Sequence, residues 1–346
     1  MIRINDGSIR ALLEETSEGV VSLYVPVDPS DANNQKSPGS EAWRIWLKNE
    51  LKRLEDSVSR TGKAVWSDAL ETLERFLADY SASGRTLICF VRPDGHVFAE
   101  LPVRLEPSAA FGKAAVGPLL QAMDEYRHYL VALIAANGYR IVTGYLGFVG
   151  EIARVELDRN WDMQGTIRRK DRFRFEAHRD HHQRSYQQGL ASEIDKVLFD
   201  IPEIDRIVLG GNEKEAHGVR NLMHPKAAES VVAVLPVPIE STEAEIRERV
   251  EPAAIAYERD RESALVDHVI AMTRAGGRAS MGRDDVTGLL ERGAVRTLIL
   301  ASPQEESLEP LLRLAYYSSS RVEFVHGEPA ERLRAQGGVA CELYYG

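Results

Sequence analysis

Apolar residues recur along this chain with two spacings, one typical of amphipathic helices and one of buried strands. From Glu41 to Val58 they return every three or four positions and therefore share one helical face. The stretch Val65–Tyr80 repeats this spacing. Short apolar runs such as Val20–Val27 and Arg85–Val91 predict buried strands instead. Helical and strand-like segments alternate to the end of the chain, which indicates an α/β protein throughout.

Turn and cap signals mark several element boundaries. Asn137-Gly138 stands between two apolar runs and predicts a β-hairpin, because both residues tolerate the positive φ of a type I′ turn. Thr242, with Glu245 three residues later, predicts a capping box at the start of a long helix. Pro252 predicts a break in that helix, and Gly293 predicts the end of a later helix before a buried strand.

The order of these elements predicts three α/β domains in tandem. The chain has 346 residues, more than one domain usually holds. We place the boundaries at 1–105, 106–239 and 240–346. The central domain is expected to contain a mixed sheet and a basic loop leading into a helix.

Composition and charge fit a globular protein of the cytoplasm. No apolar run is long enough for a transmembrane helix, and the first residues lack a secretory apolar region. Cys89 and Cys341 lie in strand-like runs, which favours buried free thiols over a disulfide. We therefore expect neither a membrane partner nor a cysteine-based zinc site.

One basic segment opposes the net charge of -10 that the whole chain carries. From Arg168 to Gly189 seven arginines and lysines stand against three acidic residues, a local charge of about +4. Arginine contacts phosphate and phenylalanine can stack on unpaired bases, so the segment is a candidate RNA-binding site, with a solvated surface as the alternative. The candidate residues are Arg168, Arg169, Lys170, Arg172, Phe173, Arg174, Phe175, His178, Arg179, His182 and Arg184.

The sequence gives little support for a metal site, a catalytic nucleophile or a nucleotide-binding site. His178 and His182 have the i, i+4 spacing of a helical metal pair. Glu176 and Asp180 fall elsewhere on the helical turn and offer no obvious third ligand, so we expect no metal site. The chain has no nucleophile elbow, P-loop or dinucleotide fingerprint. We therefore expect no cofactor, no catalytic residue and no DNA partner.

Several motifs resemble the archaeo-eukaryotic class I peptide chain release factor and Pelota superfamily, in its bacterial, Balon-like branch. They are DDVTGLLERGAVRTLILAS (284–302), RAQGGVACELYY (334–345), RIVLGGNEKE from Arg206 and VVAVLPVPIESTEAEI from Val231. The resemblance covers most of residues 105–346 and the first 105 residues only loosely. It implies that the last domain has the α/β/α fold of kink-turn-binding ribosomal proteins.

The catalytic tripeptide of that family, Gly-Gly-Gln, is missing. Its place would be the stretch between the strand 151–157 and the helix that carries Tyr186, and no such tripeptide occurs there. The three Gly-Gly pairs of the chain are followed by Asn212, Arg278 and Val339. The resemblance thus implies a factor that enters the ribosomal A site without releasing the peptide. A peptidyl-tRNA hydrolase in which Gln164 replaces the missing glutamine is one alternative, and a protein scaffold that never contacts RNA is another.

A second element of the family is matched only in part. The first domain of the eukaryotic factors reads stop codons with Asn-Ile-Lys-Ser, which Asn34-Gln35-Lys36-Ser37 resembles. The resemblance marks a decoding-side loop, whereas the polar setting before a helix favours an ordinary linker. The loop residues are Asn33, Asn34, Gln35, Lys36 and Ser37.

The resemblance also implies a role and partners. Such a factor would bind ribosomal RNA in the A site during ribosome hibernation under stress or during rescue of stalled ribosomes. A translational GTPase such as EF-Tu is an implied partner.

Overall fold

The computed structural model describes residues 6–14, 18–35, 40–92, 94–135, 138–156, 171–303 and 307–345. Their contacts divide the chain into two compact units. We call Met1–Glu125 together with Glu262–Gly346 the outer unit, and Tyr126–Arg261 the central unit. The outer unit holds two separate sheets and the central unit a third. The predicted domain boundaries stay a prediction.

The first sheet of the outer unit is antiparallel and lies under two helices. Its strands pair in the order β3-β2-β1-β4. The elements are α1 (Asp6–Glu14), β1 (Val20–Val25), α2 (Ala42–Ser57), α3 (Lys63–Ala78), β2 (Thr86–Arg92), β3 (Gly95–Leu101) and β4 (Ser108–Gly112).

The predicted helical periodicity is confirmed by the packing of α2 and α3. Trp43, Leu47 and Leu54 of α2 and Trp66 and Leu73 of α3 are buried in one cluster against the sheet. Burying an apolar side chain of this size stabilises the fold by about 1.5–3 kcal/mol. The strand β4 was not predicted, because Phe111 is the single large apolar residue among its five positions.

The central unit follows α4 (Gly117–Glu125) and contains a mixed five-stranded sheet in the order β7-β6-β5-β8-β9. Strands β5, β6 and β7 are antiparallel, while β5, β8 and β9 run parallel. The predicted hairpin is confirmed, since Ala135 pairs with Gly138. The elements are β5 (Tyr129–Ala135), β6 (Gly138–Tyr145), β7 (Phe148–Glu156), α5 (Asp171–Asp200), β8 (Arg206–Gly211), α6 (Glu213–Arg220), α7 (Pro225–Glu229) and β9 (Val231–Leu235).

A long helix, α8 (Glu243–Arg274), begins in the central unit and ends in the outer unit. Its capping box is confirmed: the Thr242 amide donates to Glu245 Oε2 at 2.8 Å, and the Glu245 amide donates to Thr242 Oγ1 at 3.3 Å. The predicted break at Pro252 is wrong. Proline removes one helical hydrogen bond, but Val250 and Ala254 on either side are buried, so packing holds the helix continuous.

The last sheet has helices on both faces. Its strand order is β10-β13-β11-β12, with β11 and β12 parallel and the other pairs antiparallel. One apolar cluster joins α9 and α10 to the sheet and another joins α8 and α11 to it. The elements are β10 (Ala279–Met281), α9 (Arg283–Glu291), β11 (Val295–Ala301), α10 (Glu309–Tyr317), β12 (Arg321–Val325), α11 (Gly327–Arg334) and β13 (Val339–Leu343). The predicted α/β/α layering is therefore confirmed.

Polar contacts tie the first and last sheets of the outer unit together. The Arg313 guanidinium of α10 donates to the carbonyl of Leu13 at 2.5 Å and to that of Ala114 at 3.2 Å. Glu309, also on α10, accepts the amide of Gly117 at 2.7 Å. Burial raises the pKa of Glu309, and its backbone hydrogen bonds lower it by less. These contacts connect residues about 200 and 300 positions apart in sequence.

Candidate functional site

The basic segment leads into the long helix α5 of the central unit. Arg168, Arg169 and Lys170 lie outside the described residues. Positions 171–183 form the first half of α5, and only their backbone belongs to the described structure; they carry the candidates Arg172, Phe173, Arg174, Phe175, His178, Arg179 and His182. Arg184 is the one candidate whose side chain is described, and it is exposed.

The second half of α5 anchors the helix to the central sheet. Leu190, Ile194 and Val197 are buried in the cluster that the helix forms with the sheet. Gln187 donates to Glu215 of α6 at 2.9 Å, which fixes the middle of the helix. A helix of 30 residues is about 45 Å long. The basic positions therefore continue, without a break, from a segment fixed in the core.

The helical conformation changes how the basic segment is interpreted. Consecutive positions in a helix differ by about 100°. Positions 173 and 175 of the backbone are thus about 200° apart around the helix axis. Positions 172 and 179 lie along one face instead, about two turns apart.

An edge strand with exposed apolar side chains lies immediately before the basic segment in the chain. Strand β7 forms one edge of the central sheet. Phe148 and Ile152 of β7 are 44% and 43% exposed. Arg154, on the same strand, contacts Glu151 at 3.3 Å. The strand thus presents apolar and cationic groups together, a combination that sequence periodicity did not single out.

The proposed decoding-side loop is held by its own hydrogen bonds. The Asn34 amide donates to the carbonyls of Pro26 at 3.1 Å and Asp28 at 3.0 Å, and its oxygen accepts the backbone amide of Trp43 at 3.1 Å. Gln35 donates to the carbonyl of Pro29, and Asn33 bonds to Asp31. Lys36 and Ser37 lie outside the described residues. Asn34 therefore organises the loop through three bonds.

We expect Asn34→Ala to lower the free energy of unfolding by about 1–3 kcal/mol, because it removes partners from three backbone groups, one of them at the start of α2. Gln35→Ala is the matched control, since its single bond is exposed and its loss should change stability by less than about 0.5 kcal/mol. Urea unfolding of both variants measures the difference. Equal values for the two variants would contradict the organising role of Asn34.

Three possible metal ligands converge in the outer unit although they stand far apart in sequence. One donor atom from each of Glu125, Glu262 and His326 lies within 4.8 Å of the others. Separations of 137 and 64 residues leave no spacing motif (125 to 262, 262 to 326), so sequence reasoning missed the group. The three side chains come together only in the folded chain.

The two cysteines are buried free thiols, as predicted. Burial raises the pKa of both Cys89 and Cys341, that of Cys341 to about 11. Since the thiolate is the nucleophilic form, neither residue is suited to covalent catalysis near neutral pH. In the described ranges, no helix combines the length and apolarity needed to cross a bilayer.

Comparison with known protein families gives a match to part of the chain. Residues 115–254, which span most of the central unit, match the family model of bacterial archaeo-eukaryotic release factor family 10. A search of curated proteins gives no match to this chain.

Solved structures of low similarity come from the same group of proteins. Pelota of Archaeoglobus fulgidus is 14% identical, with 75% of this chain and 80% of that chain covered and a TM-score of 0.38. Dom34 of S. cerevisiae is 12% identical over 76% of this chain and 74% of that chain, with a TM-score of 0.46. The archaeal termination factor aRF1 is 17% identical over 97% and 96%, with a TM-score of 0.27. All three TM-scores are below 0.5, so these likenesses indicate nothing beyond a distant structural similarity.

Proposed function

We propose that this chain, which belongs to the archaeo-eukaryotic release factor and Pelota superfamily, is a translation factor that occupies the ribosomal A site without releasing the peptide. Ribosome hibernation or the rescue of stalled ribosomes would be its setting. The observation that carries the proposal is the match of residues 115–254 to a release factor family.

The sequence of the central unit supports occupancy rather than hydrolysis. Release by the family requires Gly-Gly-Gln, and this chain contains no such tripeptide. Hydrolysis depends on holding the attacking water within a fraction of an ångström of its productive position. Without the Gly-Gly-Gln tripeptide, the central unit would contact the ribosome but would not hydrolyse the peptidyl-tRNA ester.

The local charge supports RNA as the surface that is contacted. The segment from Arg168 to Gly189 carries about +4 and continues into the anchored helix α5. Contacts with phosphate supply affinity that falls steeply with salt concentration. A basic helix whose second half is anchored in the core can present its first half to RNA.

Partners follow from relatives and are part of the proposal. Archaeal Pelota is known in a ribosome-bound form together with ABCE1, and Dom34 of S. cerevisiae interacts with Hbs1. A translational GTPase such as EF-Tu would be the corresponding partner here. Ribosomal RNA binding, the hibernation role and a cytoplasmic location belong to the same proposal.

Ribosome co-sedimentation tests the proposal. The full chain should pellet with ribosomes at low salt and dissociate as the salt concentration rises. Reversing Arg168, Arg169 and Lys170 to glutamate should weaken binding by at least about 100-fold at about 100 mM salt, because three phosphate contacts are lost and three repulsions are added.

A charge-matched variant serves as the control. Lys196, Lys214 and Lys226 are exposed lysines of the same unit, and their reversal changes the net charge equally, so it should alter binding by less than about threefold. A chain that stays in the supernatant at low salt, or variants that behave alike, would contradict ribosome binding by this segment and favour the scaffold alternative. Peptide release from ribosomal peptidyl-tRNA that is lost in Gln164→Ala would favour the hydrolase alternative.

A further inference from the structure

A histidine between two carboxylates lies inside the outer unit, away from the basic segment. Nδ1 of His326 is 3.1 Å from Oε1 of Glu262 and 3.2 Å from Oε2 of Glu125. Glu125 is the last residue of α4, Glu262 lies within α8, and His326 directly follows β12. Their side chains are only 14%, 2% and 15% exposed. Three secondary-structure elements thus meet at one shielded point.

Burial makes this arrangement electrostatically demanding. Two carboxylates close together and shielded from water repel each other strongly, and each loses hydration energy. A positive charge between them offsets part of both costs. A divalent cation supplies two charges at that point, whereas a protonated imidazole supplies one.

Neighbouring groups orient the donor atoms as a metal site requires. The second oxygen of Glu262, Oε2, accepts the backbone amide of His326 at 2.8 Å, so Oε1 is held toward the ring. The second ring nitrogen of His326, Nε2, lies 3.3 Å from the Gln121 side-chain amide. A half-turn of that amide presents its oxygen to an Nε2–H group. Ligating histidines usually donate their other N–H to such a partner, which makes Nδ1 the atom that binds the ion.

We infer that Glu125, Glu262 and His326 bind a divalent first-row transition-metal ion, with Zn²⁺ as the representative. Imidazole nitrogen favours these ions over Mg²⁺ and Ca²⁺, which prefer oxygen ligands alone. Ligands of tetrahedral Zn²⁺ at about 2.1 Å are about 3.4 Å apart. The two nitrogen–oxygen separations, 3.1 and 3.2 Å, need to widen by only a few tenths of an ångström, and all three donor atoms lie within 4.8 Å of one another. Three protein ligands leave the fourth position to water.

The bound ion would cross-link the outer unit. It joins the end of α4, the second part of α8 and the end of β12, which are distant in sequence. Binding to the folded chain alone stabilises that chain by mass action. The site is independent of ribosome binding, so the failure of either proposal leaves the other standing.

Metal titration of the whole chain tests the inference. After dialysis against EDTA, isothermal titration with Zn²⁺ should show one ion per chain, and the melting temperature should rise with added Zn²⁺. Glu262→Gln and His326→Gln should each weaken binding at least about 100-fold. Glu125→Gln, at the most peripheral carboxylate, should fold normally and weaken binding at least about tenfold. Gln121→Ala, which removes a positioning group, should weaken it about tenfold.

Two exposed residues of the same unit provide matched controls. His268→Gln and Glu328→Gln should leave Zn²⁺ binding within about twofold of the unchanged chain, because neither side chain belongs to the group. The absence of stoichiometric Zn²⁺ binding would overturn the inference and leave the group as a histidine hydrogen-bonded between two carboxylates. Binding that persists in Glu125→Gln and His326→Gln would also overturn it.

Discussion

Replacing Glu258 by alanine is expected to lower the free energy of unfolding of the central unit by about 3 kcal/mol. Glu258 of α8 and Arg206 at the start of β8 are both 2% exposed, and Oε2 of the glutamate lies 2.5 Å from the guanidinium. Removing the carboxylate leaves Arg206 buried without its main counter-charge. The loss stays near the lower end of the range for broken buried pairs because Asp205, at 3.0 Å, remains. Urea unfolding followed by circular dichroism measures the change.

A double variant separates an uncompensated charge from a lost apolar contact. Arg206→Met combined with Glu258→Met removes both charges and keeps the volume filled, so its loss of stability should be smaller than that of Glu258→Ala. If the stability loss of the double variant equalled the sum of the losses in Arg206→Met and in Glu258→Met, the two side chains would act independently.

The same pair makes stability depend on pH. Burial raises the pKa of Glu258. The hydrogen bonds and charge of Arg261, together with the charge of Arg206, lower this pKa by more than burial raises it, so the pKa lies below its usual value. The ionised Glu258 therefore contributes fully to the stability of the fold above the pKa of about 4.3 that glutamate has in the unfolded chain. This stabilisation is lost as the pH falls through the lower pKa of the folded chain. The stability difference between the unchanged chain and the double variant should therefore shrink in acid.

Gly211→Ala is expected to destabilise the central sheet by about 3 kcal/mol or more. Gly211 ends β8 with a φ of +110°, a conformation that favours glycine. A Cβ atom there would also lie 2.1 Å from the carbonyl oxygen of Ile134 on the neighbouring strand. Backbone atoms cannot yield as a flexible side chain does. The midpoint of thermal unfolding would report the effect.

Gly150→Ala provides the matched control in the same sheet. Gly150 lies in β7, no atom stands within 4 Å of its added Cβ, and its φ is outside the left-handed region. The control should change stability by no more than about 0.5 kcal/mol. If both variants lost stability equally, the close approach between β5 and β8 would not be the cause.

Strong local signals made much of the fold predictable. Helices α2 and α3 follow directly from the periodic apolar face, and the hairpin of β5 and β6 follows from its turn residues. The capping box at Thr242 depends on two residues three positions apart. The strand β4 is among the elements that sequence reasoning missed, because it holds a single large apolar residue, Phe111, and its pairing with β1 is decided by tertiary contacts. Helix α8 continues through Pro252 because buried neighbours outweigh one lost hydrogen bond.

The candidate sites differ in how far the sequence reveals them. The basic segment is visible as a run of charge, because its members are consecutive. The extent of its helical conformation, which begins at position 171, needed the structure. The group of Glu125, Glu262 and His326 left no trace in the sequence, since its ligands meet only after long-range closure of the fold.

The contact of Arg313 with Leu13 also has a consequence for synthesis of the chain on the ribosome. The two residues are 300 positions apart, and translation at about 5–20 residues per second needs about 15–60 s to cover that distance. The first sheet of the outer unit can bury its core against α2 and α3 during this interval. The contacts of α1 and of the segment before α4 with α10 form only after α10 has been synthesised. The outer unit is therefore completed last, after the central unit has been made.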